Sequence, residues 1–132
     1  MFVLYEEDGA FKAGHIMTET EAAIQVESAS GKRSKIKRTN CIFTFSSPAP
    51  EALFEQAEKL AEGIDVPFLW EFAPKEEFDV EALGNEYFGH LPDTLEKTSL
   101  LLRLHASPVY FHRRGRGRYR AAPPEILTAA LA

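Results

Sequence analysis

Cys41-Ile42-Phe43-Thr44-Phe45-Ser46-Ser47-Pro48-Ala49-Pro50 is where the chain changes period. The β-branched and aromatic residues up to Phe45 read as a strand. Pro48 and Pro50 do not belong in a strand interior but suit a linker or the first turn of a helix. Beyond them Leu53, Ala57, Leu60, Ala61 and Ile64 recur at the spacing of one helical face. The expected class is therefore α+β, strand-built before residue 47 and mainly helical after it.

Toward the N-terminus, Phe2 to Glu6, Phe11 to Thr18, Ala22 to Glu27, Lys32 to Arg38 and Cys41 to Phe45 are strand-like. The turn signals Asp8-Gly9 and Ser28-Ala29-Ser30-Gly31 fall between them. Five short strands in 46 residues predict a small SH3-like five-stranded β-barrel over 1–46. Toward the C-terminus, Asp65-Val66-Pro67 opens a short helix through Phe72. Asp79 caps a third helix, with Phe78 and Leu83 placed as a hydrophobic staple and Gly89 past its end. Asp93 and Glu96 have capping-box spacing for a fourth helix to about His105, with Leu95, Leu101, Leu102 and Leu104 available for burial.

After Ser107-Pro108, Val109 to His112 and Arg118 to Ala121 read as a hairpin around Arg113-Arg114-Gly115-Arg116-Gly117. Helices followed by such a hairpin predict a winged-helix (helix-turn-helix) domain over 47–122, the arginine-rich hairpin being its wing. Pro123-Pro124-Glu125 starts a further helix over 123–132 that runs to Ala132 without a stop signal, expected to be the start of a linker helix in a longer chain.

Composition narrows the function classes. With 132 residues, 45% hydrophobic and 27% charged, the chain has the make-up of a soluble globular protein rather than a disordered or fibrous one. One cysteine, Cys41, allows no internal disulfide and no cysteine metal site. The N-terminal Met1-Phe2-Val3-Leu4-Tyr5 runs straight into Glu6-Glu7-Asp8, and the longest aliphatic run is Leu100 to Leu102. Neither a signal peptide nor a membrane span is expected, which favours the cytoplasm and no membrane partner. His15, His90, His105 and His112 share no zinc-type spacing, so no metal site is expected. The acidic run Glu76, Glu77, Asp79, Glu81 reads as first-turn carboxylates favouring a helix dipole. No catalytic residue stands out: there is no Gly-x-Ser-x-Gly elbow, P-loop or strand-following Gly-x-Gly-x-x-Gly. The four aspartates, Asp8, Asp65, Asp79 and Asp93, are isolated from one another.

The formal net charge of −5 argues against a nucleic-acid partner only if it is evenly spread. It divides into 0 over residues 1–46, −9 over 47–106 and +4 over 107–132. Field is local and screened within about 10 Å at physiological salt, so the segments matter more than the total. Two short runs hold ten of the 15 cations: Lys32, Arg33, Lys35, Lys37 and Arg38, then Arg113, Arg114, Arg116, Arg118 and Arg120. Arginine matches phosphate bidentately and stacks on bases, and Tyr110, His112 and Tyr119 are the candidates for base stacking beside it. Other readings of the same residues stay open. The hairpin could be solvated or pair with the acidic helices, and a basic edge strand also discourages edge-to-edge aggregation.

Four runs carry a family likeness: Gly31-Lys32-Arg33-Ser34-Lys35-Ile36-Lys37; Glu86-Tyr87-Phe88-Gly89-His90; Leu100-Leu101-Leu102-Arg103-Leu104-His105; and Tyr110 through Glu125. Together they resemble the N-terminal region of bacterial ribonuclease II-type (RNB-family) exoribonucleases, in the subgroup with a winged-helix region in place of cold-shock domains. The resemblance implies a module that binds single-stranded RNA and guides it to a downstream RNB catalytic domain of the same polypeptide. There, clustered aspartates hold magnesium and hydrolyse RNA from the 3′ end. No cofactor is implied for this chain, and without the aspartate cluster it is not expected to hydrolyse RNA alone. The competing expectations are a structural or protein-interaction module whose basic hairpin docks on an acidic surface, and a duplex DNA-binding winged helix. The apolar fourth helix, with only Lys97 and Arg103 as cations, disfavours the latter.

Overall fold

Runs rich in β-branched and aromatic residues over the first 45 residues form five strands: β1 (Phe2–Glu7), β2 (Ala10–Glu19), β3 (Ala23–Glu27), β4 (Arg33–Lys37) and β5 (Cys41–Phe45). They are seen in a computed structural model that describes all residues 1–132. The sheet is antiparallel throughout, in the order β4-β3-β2-β1-β5. The chain thus meanders from β1 to β4, makes one 3-10 turn over Arg38–Asn40, and returns to lay β5 on the free side of β1.

Strand periodicity puts Val3, Tyr5, Ile24, Val26 and Ile36 on one face as a buried cluster, with Ile16 and Cys41 packed on it. On the opposite face of β1, the Phe2 ring meets His15 edge-on at 4.6 Å and Phe45 at 5.5 Å. Gly14 in β2 is demanded by close approach, since a Cβ there would lie 2.8 Å from the Glu27 carbonyl oxygen.

The expected barrel is not closed. The ladder of β5 goes to β1, so β4 and β5 remain the two edges of an open sheet. Register slips at Leu4/Tyr5 and Ile16/Thr18 let the sheet bend without joining its ends.

The compact units are residues 1–54 and 55–132, and the helix α1 (Pro50–Glu62) begins in one and ends in the other. Leu53, Ala57 and Ala61 of α1 are buried, as its spacing predicts, whereas Leu60 is exposed.

The second unit continues with α2 (Val66–Phe72), β6 (Phe78–Asp79), α3 (Val80–Phe88), α4 (Thr94–His105), β7 (Phe111–Gly115), β8 (Arg118–Ala121) and α5 (Pro124–Leu131). Its helix starts follow the local signals. Asp65, Asp79 and Asp93 accept from the backbone N–H of Phe68, Ala82 and Glu96 respectively. Glu96 returns the bond to the Asp93 N–H, completing the capping box, and Gly89 ends α3 at φ 78°.

Leu100, Leu101 and Leu104 are the buried leucines of α4, so Leu100 replaces Leu95 and Leu102 in the expected set. The hairpin also differs from expectation. Val109 and Tyr110 lie in a turn in which the Ser107 carbonyl accepts from Tyr110 and Phe111, so β7 starts later and runs through Arg113 and Arg114. Only Arg116 and Gly117 make the turn, Gly117 at φ 70°. The two-residue β6 pairs with β8, giving a three-stranded sheet in the order β6-β8-β7. In sum the fold is α+β, an open five-stranded antiparallel sheet followed by helices and a small second sheet.

Candidate nucleic-acid interface

Register decides which side of the hairpin each residue faces. Phe111 pairs with Ala121, Arg113 with Tyr119, and Tyr119 with Phe78. These residues share one face, where Phe78, Phe111 and Tyr119 are buried and the rings of Phe78 and Phe111 meet at 90°. Tyr119 is only 1% exposed and therefore offers no stacking surface, a correction to its expected role. His112 and Arg120 oppose each other on the outer face, which Arg118 shares through its pairing with Gly115. The register slip between Arg113 and Gly115 leaves Arg114 as the extra residue of a bulge.

The five arginines are not equivalent. Arg118 donates from Nε to the Glu77 carboxylate, and that carboxylate raises the guanidinium pKa further above its ordinary value. Arg114, Arg116 and Arg120 are exposed and form no ion pair. Tyr110 and His112 are half-buried.

The other basic run lies on an edge strand, with Arg33, Lys35 and Lys37 pointing to one face and Ser34 and Ile36 to the other. Arg33 Nε donates to Glu27 Oε2 at 3.1 Å. Arg38 Nε donates to the Thr20 carbonyl at 2.7 Å, and its Nη2 lies 3.6 Å from Glu19. Lys32, Lys35 and Lys37 remain exposed without an ion pair, and a shallow depression of about 300 Å³ is lined by Gln25, Arg33, Ser34 and Lys35. Two of the five expected cations of this run, Arg33 and Arg38, thus brace the segments beside their own strand.

Asp65, Asp79 and Asp93 are helix caps, and Asp8 sits in the β1–β2 turn at φ 54°. No group of three or more His, Cys, Asp or Glu side chains is arranged to hold a metal ion. Burial pushes the Cys41 thiol pKa up, against a smaller lowering by Arg38. In α4, Arg103 Nη2 donates to the Ile64 carbonyl at 2.9 Å and Lys97 is half-buried, so this helix carries few cations free to read a groove.

Sequence reasoning missed Trp70 and Lys75, which the second unit brings beside Arg120 in one groove with Pro74, Pro123 and Pro124. The only local signal was the pair of proline stops that end α2 and begin α5; nothing in the sequence joins segments fifty residues apart. Comparison with protein-family models, curated proteins and solved structures finds no match to this chain. No helix is long and apolar enough to cross a membrane.

Proposed function

We propose that the chain is a cytoplasmic single-stranded-RNA-binding module that guides RNA to an RNB-type, magnesium-dependent catalytic domain elsewhere in the polypeptide. The observation that carries this reading is the set of three exposed arginines without ion pairs, Arg114, Arg116 and Arg120, around a hairpin that also presents His112 and Tyr110. Unneutralised guanidinium groups on an exposed face of a short hairpin attract a phosphate backbone without reading its sequence. Lys32, Lys35 and Lys37 form a second basic track on β4.

The element order α2, β6, α3, α4, β7, β8, with β6 paired to β8, supports a winged helix whose wing is the arginine hairpin. The return of β5 to β1 through a 3-10 turn supports an SH3-like reading of the first sheet. Half-buried Lys97 and the Arg103 bond to Ile64 argue against duplex readout by α4.

Binding of a labelled poly(A) oligomer is expected to weaken with salt at a log-log slope of roughly −3, from four or five phosphate contacts at about −0.7 each. Replacing Arg114, Arg116 and Arg120 together by Ser should flatten the slope by about 2. An unchanged affinity and slope would reject the proposal. Absence of RNA binding at low salt, with tight binding to an RNB catalytic domain, would instead assign the hairpin to protein docking.

A further inference from the structure

Between α2 and the start of α5 lies a half-open groove of about 390 Å³, lined by Trp70, Ala73, Pro74, Ala121, Ala122, Pro123 and Pro124, with Glu71, Lys75 and Arg120 as its charged groups. All of these residues belong to the second unit. The lining is mostly apolar, and its volume falls in the range of small-molecule sites. Trp70 does not hang free: its Nε1 donates to the Ala122 carbonyl at 2.9 Å, which fixes the indole against the segment that closes the groove. Three prolines and three alanines make up the rest of the apolar wall, so little side-chain entropy would be lost on filling it. Lys75 and Arg120 are exposed and without ion pairs, and Glu71 in the same lining pairs with neither.

A mostly apolar groove carrying one indole, with two cations without ion pairs among its lining groups, has the chemistry to take a nucleotide: a base for the indole and prolines, a phosphate for the cations. Arg120 is also a wing residue, on β8 opposite His112. A strand lying along the wing would therefore pass the groove.

We propose that this groove is a nucleotide subsite, taking one base of a single-stranded RNA against Trp70 with the adjoining phosphate on Arg120 and Lys75. The inference rests on the RNA-binding reading and adds to it the place where a base, rather than a phosphate alone, is held.

Trp70 is the only tryptophan of the chain, so its fluorescence reports on this groove alone. The test titrates the full chain with an oligo(A) carrying a fluorescent end label, following label anisotropy and Trp70 emission together. The expected result is quenching of Trp70 with the same midpoint as the anisotropy change. An oligomer of abasic ribose phosphates should retain a salt-sensitive anisotropy change, quench nothing, and bind about fivefold or more weakly. Lys75→Glu, at an exposed position outside the wing, should lower oligo(A) affinity about fivefold and reduce the quenching at a given RNA concentration, while leaving the melting curve in place. Anisotropy binding without any Trp70 response, and with Lys75→Glu indistinguishable from the natural chain, would overturn the subsite and leave the RNA-binding module standing. Absence of RNA binding by either readout would remove both. Quenching by a proline-rich peptide but not by oligo(A) would assign the groove to a protein partner and overturn the nucleotide.

Discussion

At the scale of single residues, the aspartates show how an expectation about chemistry turns into one about stability. Three of the four cap helices, so their removal should be read by folding rather than by activity. Asp93→Ala deletes the bond to the Glu96 N–H and half of the capping box, and should cost about 1 kcal/mol in urea denaturation. Gly84→Ala pits two effects against each other. Alanine favours a helix over glycine by up to about 1 kcal/mol. The added Cβ, however, would stand 2.6 Å from Pro92 Cγ and 3.2 Å from Leu100 Cδ1, and overpacking against a rigid ring costs about 1–3 kcal/mol. The clash should win, giving net destabilisation of roughly 1 kcal/mol; a more stable variant would mean that the loop holding Pro92 yields freely.

At the scale of elements, the caps, the breakers and the change of period at Pro48–Pro50 were legible because each is settled within about four residues. What required distant partners was not. The strand β6 is two residues long and exists only through its pairing with Tyr119 and Arg118, forty residues away. The same pairing buries Tyr119, which a reading of the hairpin alone offers as a stacking ring. Whether a basic residue is free is also decided beyond the local run: Glu77 takes Arg118 from forty-one positions away, and Glu27 takes Arg33 across the β3–β4 hairpin. This gives the hairpin a built-in test. Glu77→Gln removes a charge from an exposed pair, of the kind that adds little stability, and releases Arg118 on the face it shares with Arg120. RNA should then bind more tightly, with a salt slope steeper by about 0.7. An unchanged slope would place Arg118 away from the strand's path and confine the contact to Arg114, Arg116 and Arg120.

At the scale of the whole molecule, the net charge of −5 conceals two basic tracks, one in each unit, on a chain otherwise dominated by acid. Whether one RNA strand uses both is a question of additivity. Independent contacts add in free energy, whereas tracks that compete for separate strands do not. If the proposed module binds four or five phosphates, three of them on the wing, the remaining one or two fall to Lys32, Lys35 and Lys37. Changing these three lysines to Ser should therefore flatten the slope by about 1, and combining that with the wing substitutions should bring it close to zero. The expected signature of a shared strand is also one of length: an oligomer long enough for both tracks should be sensitive to the lysine substitutions, and a short one only to the wing. Insensitivity at every length would make β4 a charged edge that keeps the open sheet from pairing with another copy. The same lysine variant would then aggregate more readily, in sedimentation or light scattering, than the natural chain.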